Sequence, residues 1–397
     1  MTTKRARSAP RGFTLIEVLI ASAISLVVLG VAVVVGAQLQ RRGYMEERTV
    51  ETQNAARAAR DLMAAGVQRA GAGAGTLPLA VGTKGAGVAD LRYAVWPVSD
   101  LAAAGAGVPA GQYAGLTSNG LELWETDPGK MVPLAVCNGT GAPWVGTKLC
   151  TGVAPPAELD GRVAALVAPE PPARATVCLG VISNLDTTKS PPGDNDYGLT
   201  WTPGLPGNPL PAGHPCASYP AATANTLWAA TDIYLMPLTA RSYRVNWTGG
   251  SQPALEMDPD GFAGNQGFTV VSRDIEQLRV RMGVVNPEDA GMLYFPNTAP
   301  NRPGLDQCTH AACAGFVTWD AGVALAGDEG PGSARDELLK QVRMVELDIT
   351  ARSQRLDTTA QTSADGGVDR DGNLQDGYKR RHTVIRLAPR NFGYSGF

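Results

Sequence analysis

Hydrophobic residues follow three patterns along this chain, and each predicts a different element. The first is an apolar run from Phe13 to Leu39 in which Glu17 is the only charged residue. A helix rises about 1.5 Å per residue, so this run reaches roughly 40 Å, enough to cross the ~30 Å hydrocarbon core of a bilayer. The second pattern follows directly. Residues 40–70 contain no proline and are rich in helix formers. Ala55, Ala59, Leu62, Met63, Gly66 and Ala70 recur there at the steps of one helical stripe, with Arg57, Arg60 and Asp61 facing away. The helix therefore continues past the apolar run, and the glycines of "GAGAG", Gly71 to Gly75, end it.

The third pattern has a period of two. In "EQLRVRMGVV" (Glu276 to Val285), Leu278, Val280 and Met282 alternate with Arg279 and Arg281. In "VRMVELDITARS" (Val342 to Ser353), Val345, Leu347 and Ile349 alternate with Glu346 and Asp348. "DIYLMPLTARSYRV" (Asp232 to Val245) and "HTVIRLAPRN" (His382 to Asn391) are also strand-like. Such alternation predicts an antiparallel sheet with one buried and one wet face, the buried face receiving the helix stripe. Residues 76–225 show no sustained period, only short strand candidates such as "LELWET" (Leu121 to Thr126). The expected fold is α+β. A leader (1–12) precedes an apolar helix (13–39) and an amphipathic helix (40–75). A loop-rich, disulfide-stapled insertion (76–225) and a β-sheet body (226–397) follow.

Composition and charge narrow the class. With 44% hydrophobic and 18% charged residues the chain folds, and its 47 glycines and 29 prolines predict many loops. Lys4, Arg5, Arg7 and Arg11 precede the apolar run. They orient the N-terminus to the cytoplasm and the remainder outward. Without them the net charge falls from −3 to −7, so the acidic body gives no electrostatic argument for nucleic acid. All six cysteines follow the run. Their even number and the export signal favour disulfides in an oxidising compartment such as a bacterial periplasm. Many pairings are open. Nearest neighbours (Cys137 with Cys150, Cys178 with Cys216, Cys308 with Cys313) each close a short local loop. Zinc is the weaker alternative, because there is no C-x-x-C pair and the nearest motif is "CTHAAC" with His310.

Three accounts compete for the N-terminus. A cleaved secretory signal could end at "VGA", Val35 to Ala37, but the apolar run is about twice the usual signal core and an acid interrupts its start. An inert anchor gives Glu17 no purpose, and an acid at the centre of a membrane helix costs about 3 kcal/mol. "GFTLIEVLIA", Gly12 to Ala21, resembles the type IV prepilin signature. The resemblance implies that a prepilin peptidase cuts after Gly12 and that Phe13 becomes the methylated N-terminus. It also makes Glu17 the fifth mature residue, paired in the filament with a neighbouring subunit's α-amino group and setting subunit register. Many major pilins carry a proline midway along this helix, whereas this chain has Gly30 and Gly36 there.

"VSRDIEQLRVRMGV", "VRMVELDITARS" and "HTVIRLAPRN" are similar in order to the later elements of PilW-like minor pilins. That resemblance implies a structural subunit of a type IV pilus, priming or capping assembly in a tip complex. The implied partners are prepilin peptidase, other minor pilins, the major pilin, the inner-membrane assembly platform and, before assembly, membrane lipid. A pilus-displayed adhesin, a DNA-uptake subunit and a type II secretion pseudopilin are the alternatives. No catalytic arrangement surrounds His214, His310 or His382, and there is no G-x-S-x-G, H-E-x-x-H or P-loop, so neither an enzyme nor a cofactor is expected. "DRDGNLQDG" with Asp369, Asp371 and Asn373, and "DPDG" from Asp258 to Gly261, suggest calcium. Both break the ligand order of a calcium loop and suit ordinary turns. "KRRH", Lys379 to His382, is a compact basic patch beside a strand.

Overall fold

One helix, α1 (Leu15–Arg69), carries both the apolar run and the amphipathic stretch without a break in the computed structural model. The structure describes residues 12–85, 87–99, 117–137, 143–167, 176–186, 197–217, 233–247, 252–259, 267–286, 291–298, 301–317, 325, 327–330, 332–354 and 376–390. The chain divides into two units, residues 1–51 and Thr52–Phe397. In the first, every described side chain from Gly12 to Glu47 is exposed, and the helix is long and apolar enough to cross a membrane.

In the second unit, α1 buries Thr52, Ala56, Ala59, Met63, Gly66 and Val67. Ala59, Met63, Gly66 and Ala70 thus occupy the stripe that periodicity predicts. Leu62 does not: it lies about a quarter-turn off the stripe's centre and is 37% exposed. Small residues dominate the buried face and let the helix approach closely. A Cβ on Gly66 would stand 2.7 Å from Cδ1 of Leu123, with the Tyr243 hydroxyl next nearest. The Ser272 hydroxyl donates to the Ala55 carbonyl at 3.4 Å, and the Arg390 N–H donates to the Gln68 carbonyl at 3.4 Å. Beyond Arg69 the chain turns through Gly71, Gly73 and Gly75, all left-handed at φ 80°, 72° and 60°. The Gly71 N–H donates to the Trp124 carbonyl (3.0 Å), and the Thr126 N–H donates to the Ala72 carbonyl (3.1 Å).

The residues from 76 to 225 contribute more regular structure than their composition suggests. They form β1 (Leu79–Lys84), β2 (Val88–Arg92), β3 (Val95–Val98), β4 (Gly120–Thr126) and β5 (Val132–Pro133). They also form β6 (Trp144–Val145), β7 (Lys148–Thr151), β8 (Val163–Val167), β9 (Val177–Asp186) and β10 (Tyr197–Pro203). With β11 (Tyr234–Asn246), β12 (Ala254–Asp258) and β13 (Thr269–Arg273) these make one branched sheet. The long strand β11 is its spine. Its first residues pair with β5 and β8, its middle with β4, and its end with β12. Pairing is antiparallel except for a short parallel contact between β1 and β9. Two apolar clusters lie about this sheet, one including Trp201, Leu166 and Leu235, the other Trp124, Leu179 and Met236.

A second sheet has the order β15-β14-β16-β17, from β14 (Ile275–Val285), β15 (Met292–Phe295), β16 (Val342–Arg352) and β17 (Arg380–Leu387). Leu278, Val280, Met282, Val345, Leu347 and Ile349 are fully buried and join the α1 stripe in a third cluster. The opposite face holds a cross-strand triad. Arg281, Glu346 and Arg386 stand in register, and both guanidiniums bond the carboxylate, at 2.7 and 2.8 Å. Burial opposes the Glu346 charge, but the arginines overcome it and hold the carboxyl below its usual range. Two short helices, α2 (His310–Cys313) and α3 (Ala334–Lys340), fill the connection from β15 to β16. The start of α3 is fixed by buried Asp336, which accepts from the Tyr93 hydroxyl, the Gly332 N–H and Lys340.

Gly73 is demanded twice, by its left-handed backbone and by space, since a Cβ would meet Thr126 and Met236 at 2.1 and 2.8 Å. Gly75 shares the backbone but has open space. Gly73→Ala is expected to lower unfolding stability by about 2–4 kcal/mol and Gly75→Ala by about 1–2 kcal/mol, measured by denaturant titration.

Candidate functional site

The N-terminal segment is organised by one reciprocal contact. Thr14 sits immediately before α1, and its carbonyl accepts the first helical bond, from the Val18 N–H at 3.3 Å. The Thr14 hydroxyl accepts from the Glu17 N–H at 3.4 Å. The Glu17 carboxylate accepts from the Thr14 N–H and the Thr14 hydroxyl, each at 2.9 Å. This is a capping box: two orphan donors at a helix start are satisfied by the side chains at the cap and three residues later. The Thr-x-x-Glu spacing was present in the sequence, masked by the apolar run around it. Glu17 therefore has local donors, and its charge faces the positive end of the helix dipole.

Among the described residues, Gly12 and Phe13 make no comparable contacts. Phe13 is 87% exposed, and a Cβ on Gly12 would meet nothing within 4 Å. Gly12 is also absent from the left-handed glycines. Nothing in the described fold requires glycine there, unlike Gly66 and Gly73.

A family model described as "Prokaryotic N-terminal methylation motif" matches residues 7–33. No curated protein and no solved structure matches the chain. The matched residues carry a prepilin-type methylation motif, which makes this chain type IV pilin-like at its N-terminus.

The remaining candidates are scattered. In the structure Cys137 bonds Cys150, Cys178 bonds Cys216, and Cys308 bonds Cys313. The first ties the segment after β5 to β7, and the second ties β9 to the segment after β10. The third closes the small loop bearing His310. Among the described residues no cluster could hold a metal ion. Asp369, Asp371 and Asn373 lie outside the described residues, as do Asp260 and Gly261 of "DPDG". His214 accepts the Cys216 N–H at Nδ1, and burial holds its pKa below the ordinary value. His382 faces the Thr350 hydroxyl (3.0 Å) and Asp348 (4.0 Å) with the same ring nitrogen, Nδ1, so the three do not form a proton relay.

"KRRH" does not act as a patch, because its side chains differ in exposure and in partners. Arg381 and His382 are exposed, whereas Arg380 turns into a buried ion cluster that sequence spacing did not reveal. Its guanidinium bonds Glu276 at 2.5 and 2.8 Å and Asp376 at 2.7 Å on each of two oxygens. Arg352 lies 3.9 Å from Glu276 and stacks over Tyr378. Burial disfavours the Arg380 charge, yet the two carboxylates overcome it and raise its pKa. With the bonds between Ser353 and Lys379, this cluster clamps the end of β16 to the start of β17. Arg380→Met is expected to cost about 3–5 kcal/mol by stranding two acids. The triple variant that also carries Glu276→Gln and Asp376→Asn should recover part of that loss in thermal unfolding.

Proposed function

We propose that this protein is a minor pilin, a structural subunit added to a type IV pilus or its initiating tip complex. Prepilin peptidase would cut after Gly12 and methylate Phe13. Glu17 would then pair with the new α-amino group of a neighbouring subunit and set register as the helix leaves the membrane. The methylation motif matched at residues 7–33, which contains Gly12, Phe13 and Glu17, is the observation that carries this proposal. The capping box supports it further. It holds the Glu17 carboxylate at the helix tip, where a neighbour's amine can replace one of the Thr14 donors without repacking. With the 12 leader residues gone, 385 of 397 residues remain. A body of that bulk suits a rare or terminal position better than every step of a filament.

Removing residues 76–225 to seek an adhesive role would strip β11 of its partners β4, β5 and β8, so it would test folding before function. Substitution at Glu17 avoids this, because Glu17 lies in the first unit and belongs to neither sheet. Glu17→Ala is expected to be processed and to accumulate in the membrane. Its share of sheared filaments should fall about tenfold or more, the factor for a lost interaction of about 1.4 kcal/mol. Immunoblotting of filament and membrane fractions reads this directly, and unchanged incorporation would reject the register role.

A further inference from the structure

Charge, aromaticity and exposure coincide just beyond the apolar run. The first charged residues after Glu17 are Arg41 and Arg42, and the first tyrosine of the chain, Tyr44, follows them. All three are exposed, and among the described residues neither guanidinium has an acidic partner. Tyr44 lies three positions from Arg41 on one helix face, with Arg42 about 100° round, so the three cover less than half the circumference.

We infer that Arg41, Arg42 and Tyr44 form a belt that binds the phosphates of phospholipid headgroups on the bilayer face opposite the N-terminus, and so sets the depth of the helix. The inference rests on α1 being a membrane anchor. Guanidinium forks match phosphate oxygens, and a tyrosine ring sits at headgroup level with its hydroxyl in water. Helix length supplies the second argument. From Glu17 to Arg41 the rise is about 36 Å, or about 34 Å at a typical 20° tilt, against a hydrocarbon core of ~30 Å. Both charged ends therefore clear the hydrocarbon together, each in its own headgroup layer. Sliding the helix by more than a few ångströms in either direction would draw one of them in. The belt thus fixes the depth at which Glu17 sits in the free subunit.

A second copy is the poorer occupant. At equal register it presents the same two arginines, and the first acids beyond them begin at Glu46. Phosphate meets the pair without any axial offset.

The test uses the full chain with its disulfides intact, reconstituted in phosphatidylcholine vesicles with and without phosphatidylglycerol. Single cysteines replace Ala21, Gly30, Gly36, Gln38, Gln40, Gly43, Met45 and Glu47 in turn, and a membrane-impermeant maleimide labels them. With the arginines present, labelling should rise sharply between Gln40 and Gly43, more sharply in anionic vesicles. With Arg41→Gln and Arg42→Gln together, the onset should move about three residues toward Glu47, and the lipid dependence should vanish. The same onset in both proteins would overturn the belt while leaving the anchor intact. So would a difference seen only in assembled filaments, which would assign the pair to a neighbouring subunit. Free labelling at Ala21 and Gly30 in both proteins would show that the helix does not span, and the anchor itself would fall.

Discussion

One helix must be stable against two different surroundings, and the rest of the structure follows from that constraint. The first part of α1 exposes an unbroken apolar surface that only lipid or other helices can cover. The second part carries a stripe of small side chains, Ala56, Ala59 and Gly66, that brings its backbone close to β4 and β11. No change of local structure separates the two, since the helix is continuous from Leu15 to Arg69. What changes is the spacing of the apolar residues. A helix apolar on every side suits hydrocarbon, and one apolar along a stripe suits a protein core.

The same rule governs charge at both extremes of the chain. A carboxylate removed from water needs donors or a cation. Glu17 takes the Thr14 donors at the helix tip, Glu346 takes two arginines across the second sheet, and Glu276 with Asp376 encloses Arg380 where the end of β16 meets the start of β17. The body pairs such groups internally and permanently. At the N-terminus, among the described residues, the Glu17 carboxylate has the local Thr14 cap instead, and the proposed pairing with a neighbouring subunit's amine draws on that difference.

Local patterns carried most of what could be read in the sequence. The two strands with clean alternation, β14 and β16, bury the residues that their period-two pattern names. The α1 stripe matches except at Leu62, whose hydropathy suggests burial and whose angular position forbids it. The strands of residues 76–225 were mostly illegible. They are short, interrupted by glycine and proline, and stabilised by remote partners, as where Leu79 meets Val177 or Leu123 meets Arg241. The ion clusters were hidden for the same reason. Glu276 and Arg380 come together only because β14 and β17 flank β16, and Tyr93 reaches Asp336 across most of the body. The Thr14–Glu17 cap is the exception, a local signal obscured by the hydrophobicity around it.

The central proposal is that Gly12 and Phe13 form a processing boundary and that Glu17 serves the subunit made there. The most direct measurement is intact mass and N-terminal sequence of the protein purified from cells that make prepilin peptidase. A mature chain that begins at N-methylated Phe13 is the predicted result. A chain that begins at Gln38, as after signal-peptide cleavage, or one that retains Met1, would contradict it.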